Sequence, residues 1–322
     1  MVTLKDIQQA QSLLRKFAVR TPLVACKLPD GRQISVKPEN LQPIGSFKLR
    51  GAYNKISSLT PEQRVRGVVS HSSGNHAQGV AYAARALNVK ATIVMPNTAP
   101  KVKMDATRAL GAEIVLVGPA SNDRIAKADE LERERGLVLV PPYNDEKIIA
   151  GQGTIGLEIL EDLPDVDLVL VPVGGGGLIS GIATAIKESG SSARVFGVEP
   201  AFAADAQTSL RSGKIQSISG DSALRTLADG LRSQSVGPIN FEHIRKHVDE
   251  IITVSEDEIL KAMKHLLFAA RILAEPSGAV TTAAALFHAT ELPPSEKIVA
   301  VVSGGNVEPQ LFSDILLGNV VR

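Results

Sequence analysis

Lys48 lies in the segment Pro43-Ile44-Gly45-Ser46-Phe47-Lys48-Leu49-Arg50-Gly51-Ala52, with a bulky apolar residue on each side. Such neighbours partly desolvate an ammonium, which lowers its pKa and frees the amine to attack a carbonyl. The competing reading is a surface lysine whose stem snorkels past apolar neighbours to water. Three polar, glycine-bearing segments downstream favour the first. Gly174-Gly175-Gly176-Gly177-Leu178-Ile179-Ser180-Gly181 follows an apolar run and opens a helical pattern reaching about Lys187. Consecutive glycines let backbone N–H groups crowd around an anion, and a helix N-terminus adds partial positive charge, so a phosphate is the expected guest. The spacing is neither the dinucleotide G-x-G-x-x-G nor the nucleotide P-loop, since no Lys-Ser or Lys-Thr follows. The alternative is a tight strand-to-helix turn packed on a sheet.

Ser72-Ser73-Gly74-Asn75-His76 repeats the order of apolar run, polar turn and helical pattern. Its N–H groups suit a carboxylate, with further hydrogen bonds from Ser73 and Asn75. Plain helix capping by serine or asparagine would use the same residue types. Ser303-Gly304-Gly305-Asn306 puts Ser303 at the C-terminal end of another apolar run, where open α/β sheets hold ligands, and an ordinary turn is again the alternative. The histidines carry less. His243 and His247 are four apart with no third ligand or metalloprotease glutamate, so a solvated helix face is expected rather than zinc. His76 belongs to no Ser-His-acid set that spacing alone can define. Cys26, the single cysteine, is expected to be packing; no intrachain disulfide can form, and a reducing interior, the cytoplasm, is the expected home.

These segments need a scaffold that brings them together. Short apolar runs at 67–70, 91–95, 113–117, 137–140, 168–173, 195–198, 250–254 and 297–302 alternate with helical patterns, which predicts parallel strands joined by right-handed crossovers. Helices are expected over 77–87 and over 101–110, the second closed by Gly111. Ser255 with Glu258 forms a capping-box pattern opening a helix through Phe268, and 33–38 reads as one short strand ended by proline. Residues 67–143 form a compact block between Lys48 and the glycine run. They are therefore expected to be a small domain inserted into a larger one made of 1–66 and 144–322, with a cofactor in the cleft between two sheets.

Composition bounds the partners. At 322 residues, with 44% hydrophobic and 21% charged residues, the chain is an ordinary globular α/β candidate. A net charge of +1 and only 3% aromatics, with no Trp, argue against nucleic acid and anionic membranes. No secretory leader pattern or apolar stretch of spanning length is expected to be present.

Taken together, Gly45 to Ala52, Ser72 to Gly79, Gly151-Gln152-Gly153-Thr154, Gly174 to Gly177 and Ser303 to Asn306 resemble the fold-type II pyridoxal-phosphate enzymes, specifically the threonine/serine dehydratase and serine racemase family. The likeness covers nearly the whole chain, and the set is specific where each member alone is weak. It implies two open, twisted, mostly parallel sheets with flanking helices, like the tryptophan synthase β subunit. It also implies pyridoxal 5′-phosphate held covalently by Lys48, which removes the substrate α-proton once released. Phe47 would pack on the ring, Asn75 would bond its phenolic oxygen, and Gly174, Gly175, Gly176, Gly177 and Leu178 would cradle the phosphate. Ser303 would face the pyridine nitrogen and Glu275 would lie near the ring. Ser72, Ser73, Gly74, Asn75 and His76 would bind the substrate, with Ser73 on the ring face opposite Lys48. A neutral hydroxyl at the ring nitrogen suits chemistry in which a β-leaving group departs as the α-proton is lost.

The resemblance implies a second site too. Glu199, the carbonyl of Ala203 and Asp205 have the spacing of a divalent cation site for Mg²⁺, or Ca²⁺ or Mn²⁺. Without the resemblance Glu199 and Asp205 would be two surface acids. The implied activity is an L-threonine/L-serine dehydratase acting as a homodimer on a small hydroxy amino acid, without a C-terminal regulatory domain. Serine racemase and hydroxyaspartate dehydratase are the near alternatives, and a non-catalytic amino-acid sensor is the alternative from another class.

Overall fold

The computed structural model describes residues 1–72, 74–99 and 101–319. Among these residues are ten strands: β1 (Val24–Lys27), β2 (Gln33–Pro38), β3 (Val68–His71), β4 (Ala91–Pro96), β5 (Glu113–Val117), β6 (Val138–Leu139), β7 (Leu168–Pro172), β8 (Arg194–Pro200), β9 (Glu250–Val254) and β10 (Ile298–Val302). They form a six-stranded sheet in the order β1-β2-β10-β7-β8-β9 and a four-stranded sheet in the order β5-β4-β3-β6. Every pairing is parallel except β1 with β2.

The large sheet is buried on both faces, and the period of two decides which residue meets which layer. Ile298, Ala300 and Val302 of β10 share an apolar cluster with Ala279, Val280 and Ala283 of the helix Pro276–Phe287. Val299 and Val301 point the other way, into a cluster with Ile179 and Ile182 of the helix Gly177–Glu188 and Ile155 and Ile159 of the helix Glu146–Asp162. Continuous apolar runs therefore sit in the sheet interior, as expected for parallel strands covered by helices. No helix among the described residues is long and apolar enough to cross a membrane.

The helix Lys48–Ser57 joins the two sheets. Its Ala52 and Ile56 pack with Val68, Ile93 and Met95 under the four-stranded sheet, while its first turn is tied to the large sheet. It crosses the helix Glu146–Asp162 closely: a Cβ at Gly151 would lie 2.7 Å from the Arg50 carbonyl oxygen. Gln152 accepts from the Gly51 N–H, and Thr154 accepts from Arg50, so the Gly-Gln-Gly-Thr segment is a helix-packing device.

Some expectations shift. Strand β1 has no counterpart in the sequence reading, and β6 keeps only Val138–Leu139 of the run 137–140. The helix over 77–87 begins earlier, at Asn75, and ends at Ala86, with Asn88 at φ +53° just beyond. The capping box of Ser255 and Glu258 is present, but its α-helix Glu256–His265 passes into a π-turn, Leu266–Ala270, stopped by Arg271 at φ +59°. The solvated helix face expected for His243 and His247 is wrong. Both are buried, because the N-terminal segment covers the helix Pro238–His247 and the Val2 N–H donates to His243 Nε2 at 3.1 Å. Thr184 Oγ1 lies 2.9 Å from the other ring nitrogen, and no group of three or more metal-ligating side chains occurs among the described residues.

Candidate active site

Lys48 opens its helix, and two backbone contacts fix that start. Phe47 N–H donates to the Ser303 carbonyl at 3.1 Å and Gly305 N–H to the Gly45 carbonyl at 2.9 Å, so the segment carrying the lysine runs beside the loop after β10. The side chain turns into a cavity of about 940 Å³, where Nζ donates to the Pro142 carbonyl at 2.8 Å. Burial lowers the ammonium pKa to about 8, opposed by the nearby Glu275 carboxylate. The Phe47 ring centre lies 5.2 Å from Nζ, so the apolar neighbour read from the sequence does sit beside the amine.

The 174–177 turn follows β7 and borders the same cavity, together with Leu178. Gly176, at φ +94°, caps the helix Gly177–Glu188, whose first N–H groups have no partner within the helix. The backbone also runs tight against an aromatic ring. A Cβ on Gly175 would stand 2.3 Å from a Tyr143 ring carbon. The Gly175 carbonyl accepts from Gly237 N–H at 3.1 Å and from Asn240 Nδ2 at 2.5 Å, which fixes the turn from behind.

On the opposite wall, β3 leads into the 72–76 turn. Ser72, Gly74, Asn75 and His76 border the cavity, and Ser73 lies outside the described residues. Asn75 Nδ2 donates to Glu275 Oε1 at 2.6 Å, and Asn306 Nδ2 donates to Asn75 Oδ1 at 2.8 Å, so three distant segments meet at one amide. Burial, then repulsion from Asp229, pushes the Glu275 carboxyl up to about 7. His76 is buried, with Nε2 3.0 Å from the Val140 carbonyl. Burial and the Lys48 charge pull its pKa down to about 3, so the ring is neutral. A neutral ring beside a carbonyl carries its proton on Nε2, which leaves Nδ1 as an acceptor. Ser303 is buried at the cavity edge, its Oγ only in long contact, 3.4 Å, with the Ser277 carbonyl.

The acid pair lies apart from this cavity, at the end of β8. Glu199 Oε1 accepts from Ala206 N–H at 2.9 Å and Oε2 from Gln207 N–H at 2.8 Å. Asp205 opens the helix Asp205–Ser212, and both its carboxylate oxygens are buried without a well-formed hydrogen bond, only its own N–H and that of Val236 being near enough to ease the charge. Burial raises Asp205 to about 7; burial and the Asp205 charge push Glu199 well above the usual carboxylate range. Ala203 is buried in the short turn Ala201–Ala203 that links the two acids. They are not the surface acids that composition alone would give.

Several lining residues escaped the sequence reading. Asn306 stood in a quoted motif, yet nothing local marked it as the partner of Asn75. Tyr143 and Pro142 follow β6, where only the preceding apolar run was legible. Lys103, in the helix Lys101–Ala109, and Asp229, in the turn Asp229–Leu231, pair across the cavity at 2.8 Å.

A family described as pyridoxal-phosphate dependent enzyme matches residues 14–304. The chain is 45% identical over 325 residues to an L-threonine ammonia-lyase of Thermotoga maritima, covering 100% of this chain and 80% of that protein. It is 40% identical over 319 residues to an L-threo-3-hydroxyaspartate ammonia-lyase of Saccharomyces cerevisiae, covering 98% and 97%. Among solved structures, a serine racemase from Dictyostelium discoideum superposes with a TM-score of 0.88 at 39% identity, covering 95% of this chain and 99% of that one.

Proposed function

This chain belongs to the pyridoxal-phosphate-dependent enzymes, and from that premise we propose that it is an ammonia-lyase of small hydroxy amino acids, L-threonine and L-serine first. One observation carries the reading: the half-buried Lys48 amine, of lowered pKa, and the four-glycine turn border a single cavity. The residues fit the cofactor. The Gly175 backbone leaves no room for a side chain against Tyr143, which suits close approach of N–H groups to a phosphate, and Lys48 supplies an amine of lowered pKa. When bound, the cofactor supplies an electron sink that acidifies the amino acid's Cα–H.

The chain's own groups do the rest. In this reading the N–H groups of 174–177 and Leu178 hold the phosphate, Phe47 packs on the ring, and Asn75 bonds its phenolic oxygen. Glu275 and Asn306 orient that amide from either side. Ser303 meets the ring nitrogen with a neutral hydroxyl. The 72–76 turn takes the substrate carboxylate on its N–H groups and on Ser73. With a pKa near 8, a working fraction of Lys48 is uncharged near neutral pH, and Nζ accepts the α-proton. The β-hydroxyl leaves with a proton as water, and the released 2-aminoalkenoate hydrolyses to a 2-oxo acid and ammonia.

Serine racemisation is the second reading, supported by the similarity to a solved serine racemase; the family resemblance implies Ser73 for the face opposite Lys48. Hydroxyaspartate elimination has comparable support from the yeast relative. Incubation of purified protein with L- and D-threonine, L- and D-serine and L-threo-3-hydroxyaspartate, with 2-oxo acid and enantiomer both measured, separates the three. The Ser73→Ala variant is expected to lose racemisation and D-serine turnover while keeping L-serine elimination. No oxo acid and no inverted product from any of these substrates would defeat the enzyme reading and leave an amino-acid sensor.

We also propose that Glu199, Asp205 and the Ala203 carbonyl hold Mg²⁺, Ca²⁺ or Mn²⁺. Two buried carboxylates side by side, one of them without a well-formed hydrogen bond, need either protons or a cation, and an all-oxygen set suits these ions. A ligand at a hundred times its Kd stabilises by about 2.7 kcal/mol. Chelated protein titrated with MgCl₂, CaCl₂ or MnCl₂ is therefore expected to melt several degrees higher. An unchanged Tm with all three ions would leave the pair as a proton-sharing one.

A further inference from the structure

Two residues after Lys48, Arg50 is fully inside the protein, 1% exposed, and so are Lys37 and Glu39, with Glu158 at 6%. The four form a closed ionic cluster. Arg50 Nε and Nη2 donate to the two oxygens of Glu39 at 2.8 and 2.9 Å. Its Nη1 and Nη2 donate to the two oxygens of Glu158 at 2.6 and 3.0 Å. Lys37 Nζ donates to Glu158 Oε2 and to the Thr21 carbonyl, both at 2.6 Å. Thr21 Oγ1 at 2.8 Å and Gln42 Nε2 at 3.1 Å complete Glu39. Two cations face two anions, so the set is neutral as a whole.

Stability alone does not call for this arrangement, because apolar residues of similar volume are commonly as stable as a buried ion pair. What the cluster supplies is geometry. A guanidinium is a planar fork, and binding one carboxylate on each of two edges fixes both its position and its orientation. The elements it joins are the end of β2 with the turn Glu39–Leu41, the helix Glu146–Asp162 and the first turn of the Lys48 helix. Further along that helix, Ala52 and Ile56 sit in the core of the four-stranded sheet. The helix is thus gripped at both ends by different sheets, while the cradle that Lys48 must face hangs from β7 of the large sheet.

We propose that Arg50 is a positioning residue for Lys48: the Arg50–Glu39–Glu158–Lys37 cluster locks the amine-bearing turn to the large sheet and so fixes its distance and angle to the 174–177 cradle. This rests on the reading that Lys48 carries the cofactor. A misplacement of about 1 Å in a reacting group can cost about a hundredfold in rate, so the lock acts on turnover more than on substrate affinity.

The test is Arg50→Lys in the reconstituted holoenzyme, which keeps the charge and removes the fork, with Glu39→Gln as a second variant that keeps shape and removes one charge. Both are expected to bind cofactor and keep KM within about threefold, while kcat falls by about ten- to a hundredfold. The pH midpoint of the Lys48-linked visible band should also move by at least half a unit, which a purely structural role would not produce. Variants that melt lower yet keep wild-type kcat and band midpoint would overturn the proposal. So would loss of folding in both, since the cluster would then be a determinant of the fold. The underlying reading is checked separately: if the wild-type protein shows no visible band that Lys48→Ala abolishes, the assignment of Lys48 fails, whatever the Arg50 variants do.

Discussion

The two sheets are built to different standards. All five residues of β7 and all five of β10 are buried, and both faces of the large sheet carry continuous apolar clusters. In the four-stranded sheet the central β4 is buried throughout, but at the edges β5 has no fully buried residue, Leu116 is 48% exposed, and β6 is two residues long. The ionic ties differ in the same sense. Arg50 is clamped inside by two carboxylates, whereas Lys103 meets Asp229 at the cavity, where the aspartate side chain is 44% exposed. Lys48, the glycine turn and Ser303, to which the proposed reading gives most of the cofactor contacts, hang from the well-buried side. The 72–76 turn, to which it gives the substrate carboxylate and one ring contact, and Lys103 hang from the other. Regions that open and close are drawn from the less stable parts of a fold, so this division is what a cleft enzyme needs.

The comparison breaks most sharply at its two strand-to-helix turns. Gly175→Val places a branched side chain where a single Cβ already stands 2.3 Å from the Tyr143 ring, so either the ring or the cradle must move. Cofactor affinity is expected to fall by at least about a hundredfold, on the scale of a severely overpacked site. At Gly74 in the other turn, φ is −128° and an added Cβ meets nothing within 4 Å. Gly74→Ala should therefore leave cofactor affinity within about threefold of wild type, a change well under 1 kcal/mol. Absorbance titration of the two apoproteins with pyridoxal phosphate reads both. Equal losses would mean that the turns share the load and that the division between sheets is not functional.

How much could be read beforehand follows from what each signal depends on. Runs such as 168–173 and 297–302 were legible because a parallel strand buried on both faces leaves a continuous apolar stretch. Strand β1, Val-Ala-Cys-Lys, is four residues at a sheet edge and leaves no such trace. Lys48 stood out only through its apolar neighbours together with the glycine-bearing segments downstream, and the glycine turn through its composition. Arg50 was not, because its partners Glu39 and Glu158 lie 11 and 108 residues away and nothing local marks a cation as buried. The burial of His243 depends in the same way on Val2, 241 residues distant. Asn306 became a site residue only when β10 brought its loop beside the 72–76 turn.

The smallest expected effect concerns the tie across the cavity. Lys103 Nζ and Asp229 Oδ2 are 2.8 Å apart and join the helix Lys101–Ala109 of the small sheet to the turn Asp229–Leu231 of the large one. Lys103 also feels the Glu275 and Glu308 carboxylates, and these with Asp229 raise its pKa against the opposing effect of burial, so it stays charged. A partly exposed pair of this kind contributes about 0.2–1 kcal/mol. Lys103→Ala is thus expected to change KM by no more than about fivefold, with kcat nearly unchanged. The difference from wild type should shrink between 0.05 and about 0.5 M NaCl, because added salt shortens the reach of exposed charges. The fully buried Arg50 cluster is screened far less, so the turnover defect of Arg50→Lys should persist across the same range. A Lys103→Ala defect that is large and indifferent to salt would mean that this pair, too, is a rigid lock, and the contrast between a fixed side and a moving side would fall.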